Sequence, residues 1–398
     1  MLRTTFRSLA GYNYRLWAAG AVVSNIGTWM QRTAQDWIVF TELTHNDATA
    51  VGFTMALQFG PSLFLLPFSG YAADHFDRRR LLIVSQSLQA VLALGLGILV
   101  VTGRVELWHV YAFALLLGCV TAFDAVARQT FVGELVSDTN LSNAVALNST
   151  SYHVARMVGP AIAGLLIAGV GTGWIFIINA VSFIAMLWAL FALRVPELHR
   201  HERTAPQVGG FLEGFRYVRA RPELFGVLTM LFLVATFCMN FAVFVSAMAV
   251  TVFGAGSGGF GLLSSMLAVG SVAGALASAR RDKPRAVVLL ASAFLLVICF
   301  TVAAAMPTYL AFGLALMALG ACVQTFMTTA NGTVQLWTEP AMRGRVMAIY
   351  MAIVNGCTLF GAPLVGWVAN HYGARWSLIV GASAALVAAL VGRRYVPR

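Results

Sequence analysis

Apolar runs long enough to cross a bilayer recur along the whole 398-residue chain, and only 10% of its residues are charged. An α-helix rises about 1.5 Å per residue, so roughly 20 apolar residues span a hydrocarbon core of about 30 Å. Charges and turn residues separate the runs near 14–41, 49–72, 81–102, 107–127, 142–169, 174–194, 223–252, 260–279, 286–305, 309–331, 344–369 and 376–392. Together with a mean hydropathy of +0.80, they exceed the needs of a water-soluble core. The expected fold is an all-α polytopic membrane protein with about twelve transmembrane helices in two six-helix bundles. The basic N-terminal segment leads into an apolar stretch that continues past residue 40 without an early small-residue cleavage site. It reads as a retained first span rather than a signal peptide.

Charge then sets orientation. With residue 1 in the cytoplasm, 22 of the 26 basic residues fall in cytoplasmic segments, leaving Arg104 and Arg375 outside and Arg32 and Arg156 within spans. The positive-inside rule therefore places both termini in the cytoplasm and supports an even number of spans. The net charge of +11 marks topology, because no basic helix or aromatic-interleaved groove outside the apolar runs offers nucleic acid a surface.

Five cysteines sit in apolar runs without CxxC spacing and are expected as small buried hydrophobes, with no metal site. The sole lysine, Lys283, precedes Pro284, so no Walker A motif exists. HExxH and GxSxG are also absent, so neither an enzyme nor a cofactor is expected. Membrane lipid and a small-molecule substrate are the expected partners, with energy drawn from an ion or substrate gradient. A monomer is the default for this architecture.

The longest polar stretch follows six spans and includes an amphipathic candidate over residues 211–218. It divides the chain into an N-terminal half at 1–195, a cytoplasmic linker at 196–222 and a C-terminal half at 223–398. The halves repeat: Gly159, Gly164, Gly171 and Trp174 return as Gly361, Gly366, Gly373 and Trp376, each displaced by 202 residues. Two such halves are what alternating access requires.

Three stretches carry more specific information. After the second span stands Gly70-Tyr-Ala-Ala-Asp74-His-Phe-Asp77-Arg78-Arg79-Arg80. Gly70 there is expected to permit close helix approach, and Asp74 with the arginines to bridge helix ends. The fifth span carries Arg156-Met-Val-Gly159-Pro160-Ala-Ile-Ala-Gly164, and its second-half counterpart holds Gly361 and Pro363. Proline removes a backbone donor and the glycines permit tight packing, which suits a kinked gating helix or simple small-residue packing. The first span contains Thr28-Trp-Met-Gln-Arg32-Thr-Ala-Gln35-Asp36-Trp37.

These stretches resemble the major facilitator superfamily. The post-span-2 loop is similar to its loop signature, and the fifth span to the antiporter signature of its drug/proton exporters. The first-span run, with Gln58-Phe-Gly-Pro61 and Ala127-Arg128-Gln129, resembles the exporter subgroup that includes the enterobactin exporter and macrolide-efflux proteins. The resemblance implies a cytoplasmic latch of Gly70, Asp74, Arg78, Arg79, Asp124 and Arg128 in which Asp124 pairs with Arg78. Two departures stand out. Asp77 replaces the usual glycine, and the second-half loop lacks the early aspartate, so the latch is expected to be asymmetric. The basic motif early in span 4 of other drug/proton antiporters is missing.

Asn25, Thr28, Arg32 and Asp36 follow three- and four-residue spacing, which gives the first span one polar face. Intramembrane charge is costly unless paired, so Arg32, Asp36 and Arg156 are candidates for coupling or charge switching, with Arg32–Asp36 as a structural pair the alternative. Two arginines against one aspartate are expected to keep Asp36 ionised. His153, one turn before Arg156, could titrate instead. Gln35, Met239, Asn240, Gln324, Met327 and Asn331, with Asn25 and Thr28, are candidates to line a cavity. The expected function is secondary active transport, as proton-coupled efflux of amphipathic small molecules such as drugs or siderophores. The alternatives are an uptake carrier or uniporter for an anionic solute, and a non-transporting sensor or scaffold.

Overall fold

The computed structural model describes residues 6–199, 210–279, 281, 284–339 and 342–395, and no strand occurs among them. The helices are α1 (Tyr12–Ile38), α2 (Ala48–His75), α3 (Arg78–Val101), α4 (Leu107–Glu134), α5 (Asp138–Val170), α6 (Thr172–Ala192), α7 (Gly210–Arg219), α8 (Pro222–Phe237) and α9 (Phe241–Ala247). They continue as α10 (Ser257–Ala279), α11 (Ala286–Ala305), α12 (Tyr309–Trp337), α13 (Arg343–Gly356), α14 (Thr358–Tyr372) and α15 (Ala374–Tyr395).

Among the described residues, eleven helical segments are long and apolar enough to cross a membrane, including Pro222–Val252 and Arg343–Tyr372, each of which joins two helices across a break. The expected first span, α1, has the length at 27 residues. It falls outside the eleven because Asn13, Ser24, Asn25, Thr28, Gln31, Arg32, Gln35 and Asp36 dilute its apolarity.

The chain forms two compact units, Met1–Ile38 with Pro61–Pro206, and Val39–Gly60 with Gln207–Arg398. In the first, α1 packs on α5 and α6, and α3 on α4 and α6. A core of Tyr14, Trp17, Leu82, Phe131, Met186 and Leu190 fills one end. Asp77, which stands where the family has glycine, is the N-cap of α3: its side chain accepts from the Arg80 backbone N–H at 2.9 Å. Such a cap stabilises a helix by about 1 kcal/mol.

In the second unit, α10 and α12 approach until backbones touch. A Cβ on Gly270 would strike the Met317 carbonyl, one on Gly274 the Ala321 carbonyl, and one on Gly320 the Leu267 carbonyl. Only glycine permits this. The amphipathic segment forms α7 and docks on the start of α13 through a Glu213–Arg345 ion pair at 3.1 Å.

Backbone detail bears out the repeat. Gly171, between α5 and α6, has φ 87°, and Gly373, 202 residues later between α14 and α15, has φ 98°. With ψ of 165° and 158°, both occupy a region that only glycine enters readily. The tryptophans three residues on, Trp174 and Trp376, are both exposed, as indoles at a membrane interface are. A π-helical turn likewise ends α1, at Val39–Leu43, and the α9 span, at Met248–Val252.

Candidate functional site

Within the first unit, α1 carries Trp29, Arg32 and Asp36, while α5 carries Tyr152, Arg156 and Gly159. A Cβ on Gly159 would lie 2.5 Å from the Trp29 Cβ and 3.1 Å from the Met30 backbone nitrogen. Glycine is therefore required for this crossing. One turn away, the close approach brings the Arg156 guanidinium to 5.3 Å from the Trp29 ring centroid, and Arg32 reaches the same ring at 4.9 Å. Tyr152 meets the indole edge-on with centroids 5.9 Å apart. Two cations thus share the best cation–π acceptor among the side chains.

Arg32 acts electrostatically on Asp36 as well as on Arg156. Asp36 is only 6% exposed, and its Oδ1 accepts no hydrogen bond. No carboxylate among the described residues ion-pairs with Arg156. The cluster therefore holds one cation in excess of its anions and one unfilled acceptor, in an environment where each costs several kcal/mol unless matched. Pro160 is half-buried and Gly164 buried in the same helix, while the side chain of His153 lies outside the described residues.

A second polar cluster joins α1, α3 and α4. Asp124 Oδ1 accepts from Ser85 Oγ at 2.6 Å and Gln86 Nε2 at 2.7 Å, and Oδ2 accepts from Arg128 Nε at 2.7 Å. Arg128 also donates to Ser24 Oγ at 3.1 Å and Asn25 Oδ1 at 3.4 Å.

The expected Arg78–Asp124 pair does not form: Arg78 Nη1 donates instead to Glu134 Oε1 at 2.8 Å. The reason is register. α3 and α4 are antiparallel, so the first residue of α3 faces the last of α4. Asp124, ten residues before Glu134 and about 15 Å back along the axis, faces Ser85 and Gln86. Arg79 caps α6, donating to the Leu190 carbonyl at 2.8 Å. The close approach expected of Gly70 is also absent, since a Cβ there meets nothing within 4 Å. The Asp74 side chain lies outside the described residues.

The polar partners missed from sequence are Ser24, Ser85 and Gln86 here, and Gln31 with Asn179, whose Nδ2 donates to Gln31 Oε1 at 2.6 Å. Their signal was an uncharged polar residue inside an apolar run. Gln35 does not line a surface: it is 1% exposed and donates to the Val110 carbonyl at 3.2 Å. Thr28 bonds back to the Ser24 carbonyl at 2.8 Å.

In the second unit the helix breaks at Cys238–Asn240, and a neighbouring break separates α13 from α14 at Cys357. The two are in contact, because a Cβ on Gly361 would collide with the Thr236 carbonyl. That carbonyl also accepts from Asn240 Nδ2 at 2.7 Å. Gly52 packs on Ala362 and Pro363, and Gly366 on the Ala48 carbonyl, so α14 is clasped on two sides. Asn240 is fully buried with its Oδ1 unpartnered, and Met239 is half-buried beside it. Gln324 donates to Thr328 Oγ1 at 3.3 Å, and Asn331 accepts from Gln335 Nε2 at 2.6 Å. The Met327 carbonyl accepts from Tyr350 Oη at 3.4 Å.

Membrane-length helices, glycine-mediated crossings and intramembrane charge are features of a polytopic membrane transporter, and the relatives of this chain are transporters of the major facilitator class. The fold agrees with solved structures: a D-xylose-proton symporter, 14% identical, matches with TM-score 0.74 over 96% of this chain and 97% of that one. A bacterial homologue of the iron transporter ferroportin, 15% identical, matches with TM-score 0.72 over 97% and 99%.

Within that class the chain belongs to the transmembrane secretion effector family, whose model matches residues 4–397. It is 28% identical over 167 residues to the staphyloferrin A transporter of Staphylococcus aureus, covering 42% of each chain. To the multidrug efflux pump Tap of Mycolicibacterium fortuitum it is 28% identical over 219 residues, 51% of each. In both, the chain spans about half or less of the relative's length. The enterobactin exporter EntS of Shigella flexneri matches at 26% over 331 residues, 81% of this chain and 77% of that one.

Proposed function

We propose that the protein exports amphipathic small molecules across a bacterial inner membrane by proton-coupled alternating access. The observation that carries the reading is the α1–α5 cluster: a buried Asp36 with an open acceptor, one turn from Arg32, which also acts on an Arg156 that ion-pairs with no carboxylate among the described residues. In this reading Asp36 and Arg32 form a charge switch. A proton or an arriving substrate changes which partner Arg32 holds, and Arg156 carries the change onto α5. Export is supported by the relatives whose names are exporters and efflux pumps.

Gly159, Pro160 and Gly164 in α5, and Gly361 and Pro363 in α14, are assigned as gating positions, with Gly159 and Gly361 at crossings too tight for a side chain. The halves 1–195 and 223–398 are the moving bodies, joined by 196–222. The charge bias of the loops puts both termini in the cytoplasm, where Arg78 with Glu134 and Arg79 with the end of α6 hold the loop ends together, while Asp124 and Arg128 tie α4 to α3 and α1 further into the bundle. In proteoliposomes with an imposed pH gradient, substrate movement with proton flux is expected, lost in Asp36→Asn. Absence of both for every dye and antibiotic tried ends the reading.

A second reading, uptake of an anionic solute, is favoured by the excess cation at Arg156. It predicts accumulation that survives a protonophore and disappears in Arg32→Ala.

A further inference from the structure

Two of the five cysteines face each other. Cys299 Sγ on α11 lies 3.5 Å from Cys322 Sγ on α12, and the residues are 9% and 7% exposed. α11 and α12 are consecutive antiparallel helices that pack together. Core filling asks for small apolar side chains and does not need two sulfurs in contact. No other thiol pair is in contact among the described residues.

We propose that Cys299 and Cys322 form a dithiol site that takes one trivalent arsenic or antimony centre, delivered as an apolar organo compound through the hydrocarbon. The separation decides the class of ligand. It exceeds the disulfide bond length of about 2.0 Å, so the sulfurs stand as two free ligands. With bonds of about 2.3 Å, the length of a soft metal–thiolate bond, one atom bridging sulfurs 3.5 Å apart subtends roughly 100°.

That angle suits a pyramidal trivalent centre. A linear two-coordinate ion would need the sulfurs about 4.6 Å apart at the same bond length. A tetrahedral zinc site needs further ligands, and no cluster of three or more His, Cys, Asp or Glu able to hold a metal exists among the described residues. Phenylarsine oxide reacts with such a pair without redox chemistry. Two As–S bonds form, the two S–H protons leave with the arsenic-bound oxygen as one water, and arsenic stays trivalent. The product staples α11 to α12 inside the second unit.

The test uses the full chain, purified in detergent, reduced with a phosphine, treated with phenylarsine oxide and then alkylated in SDS. Intact mass is expected to show one phenylarsenic per chain and three alkylated thiols in place of five, reversed by 2,3-dimercaptopropanol. Peptide mapping of the untouched sequence is expected to find Cys299 and Cys322 protected, a readout that needs no variant to fold. Cys299→Ser and Cys322→Ser should each lose the adduct. Alkylation of all five thiols, protection at other cysteines, or an adduct retained in the double variant overturns the proposal.

Discussion

Arg78 closes onto Glu134 at 2.8 Å, joining the first residue of α3 to the last of α4, while Asp124 belongs to Arg128. The two pairs should therefore fail differently. Asp124→Asn strands Arg128 among neutral partners and should cost about 3 kcal/mol. Glu134→Gln breaks a partly solvated pair and should cost about 1 kcal/mol. Thermal unfolding in detergent checks the order, and equal losses would contradict the buried network.

Three glycines should rank by what an added methyl meets. Gly361→Ala pushes a Cβ into the Thr236 carbonyl, Gly159→Ala into Trp29, and Gly70→Ala into open space. Overpacking costs about 1–3 kcal/mol where neighbours cannot move, and a backbone carbonyl yields least. Expression level and melting temperature should fall in the order Gly70→Ala, Gly159→Ala, Gly361→Ala, with Gly70→Ala like the wild type.

Asp36→Asn keeps the size of the side chain and removes its charge. Because Asp36 is buried, with an acceptor oxygen that takes no hydrogen bond among the described residues, the isosteric variant should fold normally. In an efflux-deficient host it should lose resistance to the compounds the wild type exports. Resistance unchanged across the panel would remove Asp36 from coupling.

Arg156→Gln leaves the α1–α5 crossing intact, since Gly159 sets it, and deletes one of the two cations on Trp29. Between anionic and cationic forms of one amphiphile, the variant should shift transport at least several-fold toward the cation, and Arg156→Lys should retain the wild-type preference. An unchanged ratio in Arg156→Gln would show that substrate charge is not sensed there.

Much of this molecule was written in one dimension. Helix number and length follow from hydrocarbon thickness, and the 202-residue repeat marked equivalent positions, two of which, Gly171 and Gly373, adopt the same glycine-only turn. The Gly159 and Gly361 crossings were also legible, because small residues in apolar helices have few other uses. Partner choice was not. Sequence spacing places residues on faces of one helix, whereas Arg78–Glu134, Asp124–Ser85 and Gln31–Asn179 depend on the axial register of separate helices. A shift of one turn, about 5.4 Å, would exchange every such partner. Register comes from the sum of close packings along each crossing, so only the tertiary structure could decide it. The same cause brings Cys299 to Cys322 across 23 residues of chain.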